Sequence, residues 1–314
     1  GGLTGLLAGR VRPLSLADVD GWTSLGGAEL GTRRSPLTDE QMYAVARAIE
    51  DHRIDALMLV GGYTGYTTIH RLARERSRFP ALAIPMVCVP ATIDNNLPGT
   101  ELSIGADTAL NTIVESIDRI KQSAMAANRC FVIETMGRQC GYLTLMAAMS
   151  TGAEQAYLPE EGITLARLSQ DVARMTARFA DGRSLYLVLR AEAADAHYTT
   201  EAITRVFEAE GASLFDVRQA VLGHVQQGGN PTPFDRVLAT RLAAGAIDAV
   251  TKALAAGRAD ALMIGLERGQ LTTHPMSAMA DLVDVAHRRP ADQWWLGLTT
   301  VTRDLAQEPT ARGE

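Results

Sequence analysis

The sequence predicts an α/β fold with mostly parallel sheets and helices on both faces. Three observations carry this. Short apolar runs at 54–60, 83–89, 130–135 and 185–191 are nearly continuous, as in strands buried on both faces, rather than alternating. Between such runs lie segments of helical spacing, clearest in Ala109, Leu110, Ile113, Val114, Ile117 and Ile120. Several runs then end in Gly-, Asn- and Pro-rich loops that open into the next helix, the place where open α/β sheets hold their ligands.

Composition narrows the function classes. The 314 residues are 46% hydrophobic, enough for one large core or two moderate ones. A net charge of −6 gives no general attraction for nucleic acid or membrane surfaces, so an anionic substrate would need local arginines. No apolar run reaches membrane-spanning length and no signal peptide is visible, so neither nucleic acid nor a membrane is expected as a partner. Cys88, Cys130 and Cys140 lie in or beside apolar runs without metal-ligand spacing, and read as reduced core thiols of a cytoplasmic protein.

In chain order, residues 26–36 form a Gly-rich loop containing Arg34, a solvated turn on its face. Thr38 and Gln41 make a capping-box pattern that opens a helix to about residue 50. The 54–60 strand ends in Gly61-Gly62-Tyr63-Thr64-Gly65, where glycines let backbone approach phosphate oxygens and a helix starts near Thr64. The 83–89 strand runs into PATIDNNLPGTELSIG, residues 90–105. Asp94 sits there among Thr92, Asn95 and Asn96, a setting that suits a general base taking a proton from a hydroxyl. The same Asp-Asn-Asn ahead of Pro-Gly is good turn chemistry by itself, and on these residues alone the turn is the commoner outcome.

A core helix follows from Ala106, and the 130–135 strand ends in Met136-Gly137-Arg138-Gln139-Cys140-Gly141. Met136 suits packing, whereas the glycine-flanked Arg138 suits an anion. Further strands are expected at 156–159, 185–191, 219–223 and 259–265, and helices at 165–179, 200–210, 234–254 and 275–287. Glu192, leaving its strand, could accept from hydroxyl groups or be an ordinary exposed glutamate. Arg218 and His224 bracket the 219–223 strand and so stand about 20 Å apart. That is too far to grip one phosphate, and the separation fits an oligomer. Trp294 and Trp295 read as packing residues, and the tail beyond Asp304 has no core-forming pattern.

TIDNN, SIGADTALN, ETMGRQCGY, LGHVQQGGNPTPFDR and DQWWL, in this order, resemble the motifs of the phosphofructokinase family. The similarity runs from about Gly26 to the Trp pair. It is strongest to the carboxyl-terminal half of the animal and fungal enzymes, with which Gln227 also agrees. Several motifs of this length in one order are specific. The resemblance implies two lobes: residues 1–105 with 226–274 as a larger phosphoryl-donor lobe, and 106–225 with 275–314 as a smaller sugar-phosphate lobe. It implies phosphoryl transfer from ATP to the 1-hydroxyl of fructose 6-phosphate in glycolysis, supported by Mg²⁺. Asp94 would be the base, with Thr92 and Arg138 steadying the transferring group. Arg129, Arg218 and His224 would bind the 6-phosphate, the first two reaching into a neighbouring subunit. Met136, Gly137, Glu192 and Gln227 would hold the sugar, and Arg34, Gly61, Gly62, Thr64 and Gly65 the donor. The expected partners are fructose 6-phosphate or a fructose bisphosphate, and other subunits: a homo-oligomer, dimer or tetramer, or the partner half of a longer chain.

Three departures set up an alternative. Tyr63 stands where catalytic members carry the Asp of GGDGS or GGDGT, which supports Mg²⁺; Asn96 replaces the last Asp of TIDND; and the family's opening strand and GGDxPG loop are missing, as in a fragment. The alternative is a regulatory half that binds a fructose phosphate effector without chemistry. In the animal enzymes that half carries Ser at the base, and Asp94 here favours chemistry. A pyrophosphate-dependent member would carry Lys where this chain has Ala91.

Overall fold

The computed structural model describes residues 1–33, 36–124, 127–211 and 214–306. The helices are α1 (Gly2–Leu7), α2 (Asp39–Asp51), α3 (Tyr63–Arg74), α4 (Ala106–Ala124), α5 (Tyr142–Thr151), α6 (Leu165–Ala180), α7 (Thr200–Gly211), α8 (Pro233–Ala255), α9 (Met279–Leu282) and α10 (Thr299–Ala306). The strands are β1 (Leu57–Gly61), β2 (Met86–Pro90), β3 (Arg129–Thr135), β4 (Gln155–Tyr157), β5 (Leu185–Ala191), β6 (Asp216–Val221), β7 (Ala261–Glu267), β8 (Gln270–Pro275), β9 (Val283–Asp284) and β10 (Arg289–Pro290). They fall into two compact units, residues 1–107 with 230–292 and residues 108–229 with 293–314.

The first unit is built on a sheet of order β1-β2-β7-β8, with β1, β2 and β7 parallel and β8 antiparallel. β2 is buried along its whole length, and its side chains alternate between two layers. Met86 and Cys88 join Val45 and Ile49 of α2 and Tyr66, Ile69 and Leu72 of α3. Val87 and Val89 join Leu238, Leu242 and Ala246 of α8. This two-sided burial is why the strand reads as an unbroken apolar run. Thr38 caps α2, accepting from the Gln41 amide while the Gln41 side chain accepts from the Thr38 amide, as the sequence pattern requires.

The second unit has a parallel sheet of order β4-β5-β3-β6. Cys130 and Val132 of β3 pack with Met175 and Phe179 of α6 and Ile203 and Phe207 of α7. Phe179 also stacks on Phe215, centroids 4.3 Å apart. Trp295 is buried and meets Tyr142 edge-on at 6.1 Å, the packing role expected of it, whereas Trp294 is 47% exposed. All three cysteines are free and buried, and burial pushes the Cys88 and Cys130 thiols up, so they stay protonated and inert. Among the described residues no helix is long and apolar enough to cross a membrane.

Three local expectations need correction. The 275–287 helix is only short helical turns ending at Leu282, followed by an antiparallel β9–β10 ribbon. The Asp284 carboxylate accepts from the His287 amide and Arg288 takes φ 54°, so a turn replaces the continuing helix. The segment's apolar residues Met276, Met279 and Val283 bury in the core of the first unit, although 275–292 was expected with the sugar lobe. Strand β8 was not anticipated: Arg268 and Gly269, at φ 49° and 76°, make a tight turn that returns the chain beside β7. Finally β6 begins at Asp216, so Arg218 lies inside it rather than before it. The strand stops at Val221, and Gly223 (φ 55°) turns the chain into the 3-10 turn Gly223–Gln227, so Arg218 and His224 are not joined by a fully extended segment.

Candidate active site

Parallel pairing brings the loops after β1 and β2 together. Gly61 lies opposite Pro90, and the Ala91 amide donates to the Gly61 carbonyl at 3.1 Å. A Cβ on Gly62 would stand 3.4 Å from the Thr92 Cβ, at van der Waals contact, so the two loops lie directly against each other. Gly62 caps α3 without any side-chain acceptor, and Tyr63, Thr64 and Gly65 form its first turn. A helix start capped by glycine presents backbone amides suited to an anion. Arg34, assigned to the same donor group, lies outside the described residues.

The loop holding Asp94 is fixed largely by its own side chains. The Asp94 amide donates to the Thr92 hydroxyl at 3.2 Å. Asn95, in the left-handed region at φ 50°, donates to the Glu101 carbonyl at 2.9 Å and accepts from the Ser103 amide at 2.8 Å. The Ser103 hydroxyl donates to the Thr92 carbonyl at 2.7 Å, and Asn96 donates to the Arg288 carbonyl at 3.1 Å. The far end of the loop is sewn to β7: the Glu101 amide donates to the Leu266 carbonyl and the Leu266 amide to the Thr100 hydroxyl. A Cβ on Gly265 would stand 1.8 Å from the Gly99 carbonyl oxygen, so only glycine permits this approach. Gly105 then donates to Asp235, a buried carboxylate in the first turn of α8, at 2.9 Å. Asp94 is thus both a turn residue and a nearly buried carboxylate, 8% exposed, in a loop with little freedom.

In the second unit the 136–138 loop leaves the carboxyl end of β3. Its three successive amides all go to side chains from distant segments. Met136 N donates to Gln226 Oε1 at 2.8 Å, and Gly137 N and Arg138 N donate to Glu192 Oε1 at 3.2 and 2.7 Å. Arg138 sits at φ 52° with an exposed side chain. A Cβ on Gly137 would meet the Cys140 carbonyl oxygen at 2.6 Å. Gln227 approaches Met136 Sδ at 3.9 Å, and His224 is exposed in the same turn as Gln226 and Gln227. Met136, Gly137, Arg138, Glu192 and Gln227 are therefore brought together, with His224 on the adjoining turn.

Arg129 and Arg218 are not part of this group. Arg129 opens β3, six residues before its carboxyl end, which at the strand rise is about 20 Å. Arg218 is half-exposed on the neighbouring β6, where it approaches Asp216 at 3.4 Å and donates to the Val217 carbonyl.

Sequence reasoning missed the supports: Ser103, Glu101, Asp235 and Gln226, together with Glu160, which accepts from the Gly141 amide and from Gln293. Asp235 and Gln226 had a signal as parts of LGHVQQGGNPTPFDR, and Ser103 as the start of SIGADTALN, but none pointed to a supporting bond. The position implied to support Mg²⁺ is Tyr63. Burial pushes its phenol up, so it stays neutral, with Arg288 close enough to pull the other way. A neutral phenol near a guanidinium is a poor neighbour for a hard dication, and among the described residues no three His, Cys, Asp or Glu are grouped to hold a metal ion. These residues do not fit a protein-held Mg²⁺.

Comparison with known proteins agrees with this architecture. A family model described as Phosphofructokinase matches residues 1–250. ATP-dependent 6-phosphofructokinase 1 of Caenorhabditis elegans is 41% identical over 96% of this chain and 39% of its own length. The platelet-type ATP-dependent 6-phosphofructokinase of Mus musculus is 40% identical over 98% of this chain and 40% of its own. The crystal structure of Pichia pastoris phosphofructokinase in the T-state superposes with a TM-score of 0.89 at 38% identity, covering 98% of this chain and 37% of that one. Phosphofructokinase from Saccharomyces cerevisiae gives 0.90 at 34% identity, covering 98% and 43%. The chain spans about two fifths of the length of the curated relatives it matches. The chain belongs to the phosphofructokinase family.

Proposed function

We propose that this chain carries sugar-phosphate and base machinery for transferring the terminal phosphoryl group of ATP to the 1-hydroxyl of fructose 6-phosphate, a cytoplasmic step of glycolysis. The observation that carries this is the 136–138 loop. Three consecutive amides are held by side chains, so the loop is set before any ligand arrives, and it presents the exposed Arg138. Phosphoryl transfer is mostly positioning and charge stabilisation, and a preset loop with a cation supplies both.

Asp94 takes the proton from the sugar hydroxyl. Thr92 holds the Asp94 backbone by accepting its amide, and Arg138 carries charge that develops on the transferring group. Met136, Gly137, Glu192 and Gln227 orient the sugar, and His224 binds its phosphate. Arg129 and Arg218, placed away from that loop, serve the sugar site of another subunit. The working protein is then a homo-oligomer, or this chain with the partner half of a longer one. Gly61, Gly62, Thr64 and Gly65 form the turn that faces the donor phosphates, although the Gly65 amide already donates to the Gly62 carbonyl. No step is assigned to Mg²⁺, because Tyr63 does not suit it.

Tyr63 beside Arg288 also favours a second reading, a half that binds a fructose phosphate effector without turnover. Calorimetry with fructose 6-phosphate and fructose bisphosphates, beside a coupled kinase assay, separates the two. Sugar-phosphate binding with ATP-dependent turnover supports the transferase. Bisphosphate binding without turnover supports the effector half. Binding of no phosphorylated sugar rejects both.

A further inference from the structure

Gln226 lies between two exposed residues, Val225 and Gln227, yet is itself 1% exposed. Its Oε1 accepts from Met136 N at 2.8 Å, while its Nε2 is buried and meets no hydrogen-bond partner among the described residues. Burying a primary amide with its donor unmet is unfavourable, and a methionine or leucine would fill the same space without that penalty. The one thing the amide does that an apolar side chain could not is hold Met136 N.

The place of that bond explains its use. β3 and β6 pair in parallel from Arg129 opposite Asp216 to Glu134 opposite Val221, and Leu222 N still donates to the Glu134 carbonyl. There β6 turns away at Gly223, and no backbone of that strand runs on beside Met136. The Gln226 side chain reaches back and supplies the acceptor that a longer strand would have given. The next two amides of the loop go to Glu192, so the loop hangs from two side chains contributed by two other segments.

We propose that Gln226 is a positioning residue. It sets the conformation of the 136–138 loop and couples that loop to the turn carrying His224 and Gln227, so that the two present their groups in register. The link to sugar phosphate rests on the function proposed above; the hold on the loop does not.

The test uses Gln226→Met, which removes the acceptor at similar volume, Gln226→Asn, which is too short to reach Met136 N, and Gln226→Glu, which keeps the acceptor. Amide hydrogen exchange over 136–141 is read beside calorimetry with fructose 6-phosphate. Q226M and Q226N should exchange Met136 and Arg138 about tenfold faster, with α6 and α7 unchanged, and bind fructose 6-phosphate about tenfold more weakly, the scale of one lost hydrogen bond. Q226E keeps the acceptor but buries an unpartnered carboxylate oxygen, so its exchange should lie between those of the parent and Q226M. Unchanged exchange in both Q226M and Q226N would overturn the proposal. If the parent binds no fructose 6-phosphate but the exchange pattern holds, the sugar reading of the loop fails and the hold of Gln226 on it stands.

Discussion

The loops after β2 and β3 solve one problem in two ways. Both leave the carboxyl end of a buried parallel strand, and both contain a non-glycine residue in the left-handed region, Asn95 at φ 50° and Arg138 at φ 52°. The 92–105 loop is braced mainly from within: Thr92, Asn95 and Ser103 bond to one another's backbone and side chains, and Asp94 is nearly buried. The 136–138 loop is closed locally by the Cys140 amide donating to the Gly137 carbonyl, but its own amides are braced from outside. Its amides are held by Glu192 and Gln226, 54 and 90 residues away in sequence, and its arginine faces solvent. A locally braced loop ties its conformation to the stability of its unit. A remotely braced loop depends on segments far away in the sequence, here the buried Gln226 and the exposed Glu192, and can be perturbed through either of them.

The largest expected effect is on chemistry. Asp94→Asn keeps the size and the turn, so it should lower turnover by about 10² to 10⁴ while fructose 6-phosphate affinity barely changes. A coupled assay with parallel calorimetry reads both; wild-type turnover would remove Asp94 as base. Next, Asn95→Ala should show the cost of breaking an internal brace. It loses the bonds to Glu101 and Ser103 and leaves a residue ill-suited to positive φ, about 3 kcal/mol of stability in all. Denaturant unfolding measures this, and an unchanged midpoint would refute the internal brace. Glu192→Ala should do the opposite. Removing an exposed carboxylate that holds two amides should leave the unfolding midpoint nearly unchanged but weaken fructose 6-phosphate binding about tenfold, with Glu192→Gln retaining most of it. A large loss of stability in this variant would erase the contrast between the loops. The smallest effect belongs to Thr38→Ala, which removes the α2 cap and touches neither loop. It should cost about 1 kcal/mol in unfolding and leave ligand binding alone, calibrating the other three.

The same contrast explains what could be read before the structure. Strands buried on both faces, such as β2, announce themselves as apolar runs, and α2 by Thr38 and Gln41, because these signals depend on neighbours in sequence. The turn chemistry around Asp94 was legible for the same reason. The family motifs identified Met136, Gly137, Arg138 and Glu192 as residues, but not the bonds among them.

What the sequence determined by itself was the α/β class, most of the core strands and helices, and which polar residues stand at the strand ends. Hydrophobic periodicity and short-range turn preferences are enough for that. The tertiary structure alone decided that Gln226 and Glu192 hold the 136–138 loop. It also showed that Asp235 anchors Gly105, that Gly265 makes room for Gly99, and that residues 275–292 pack into the first unit. Each joins segments far apart along the chain, and such a contact depends on where a whole strand or helix is placed, which no local pattern of residues encodes.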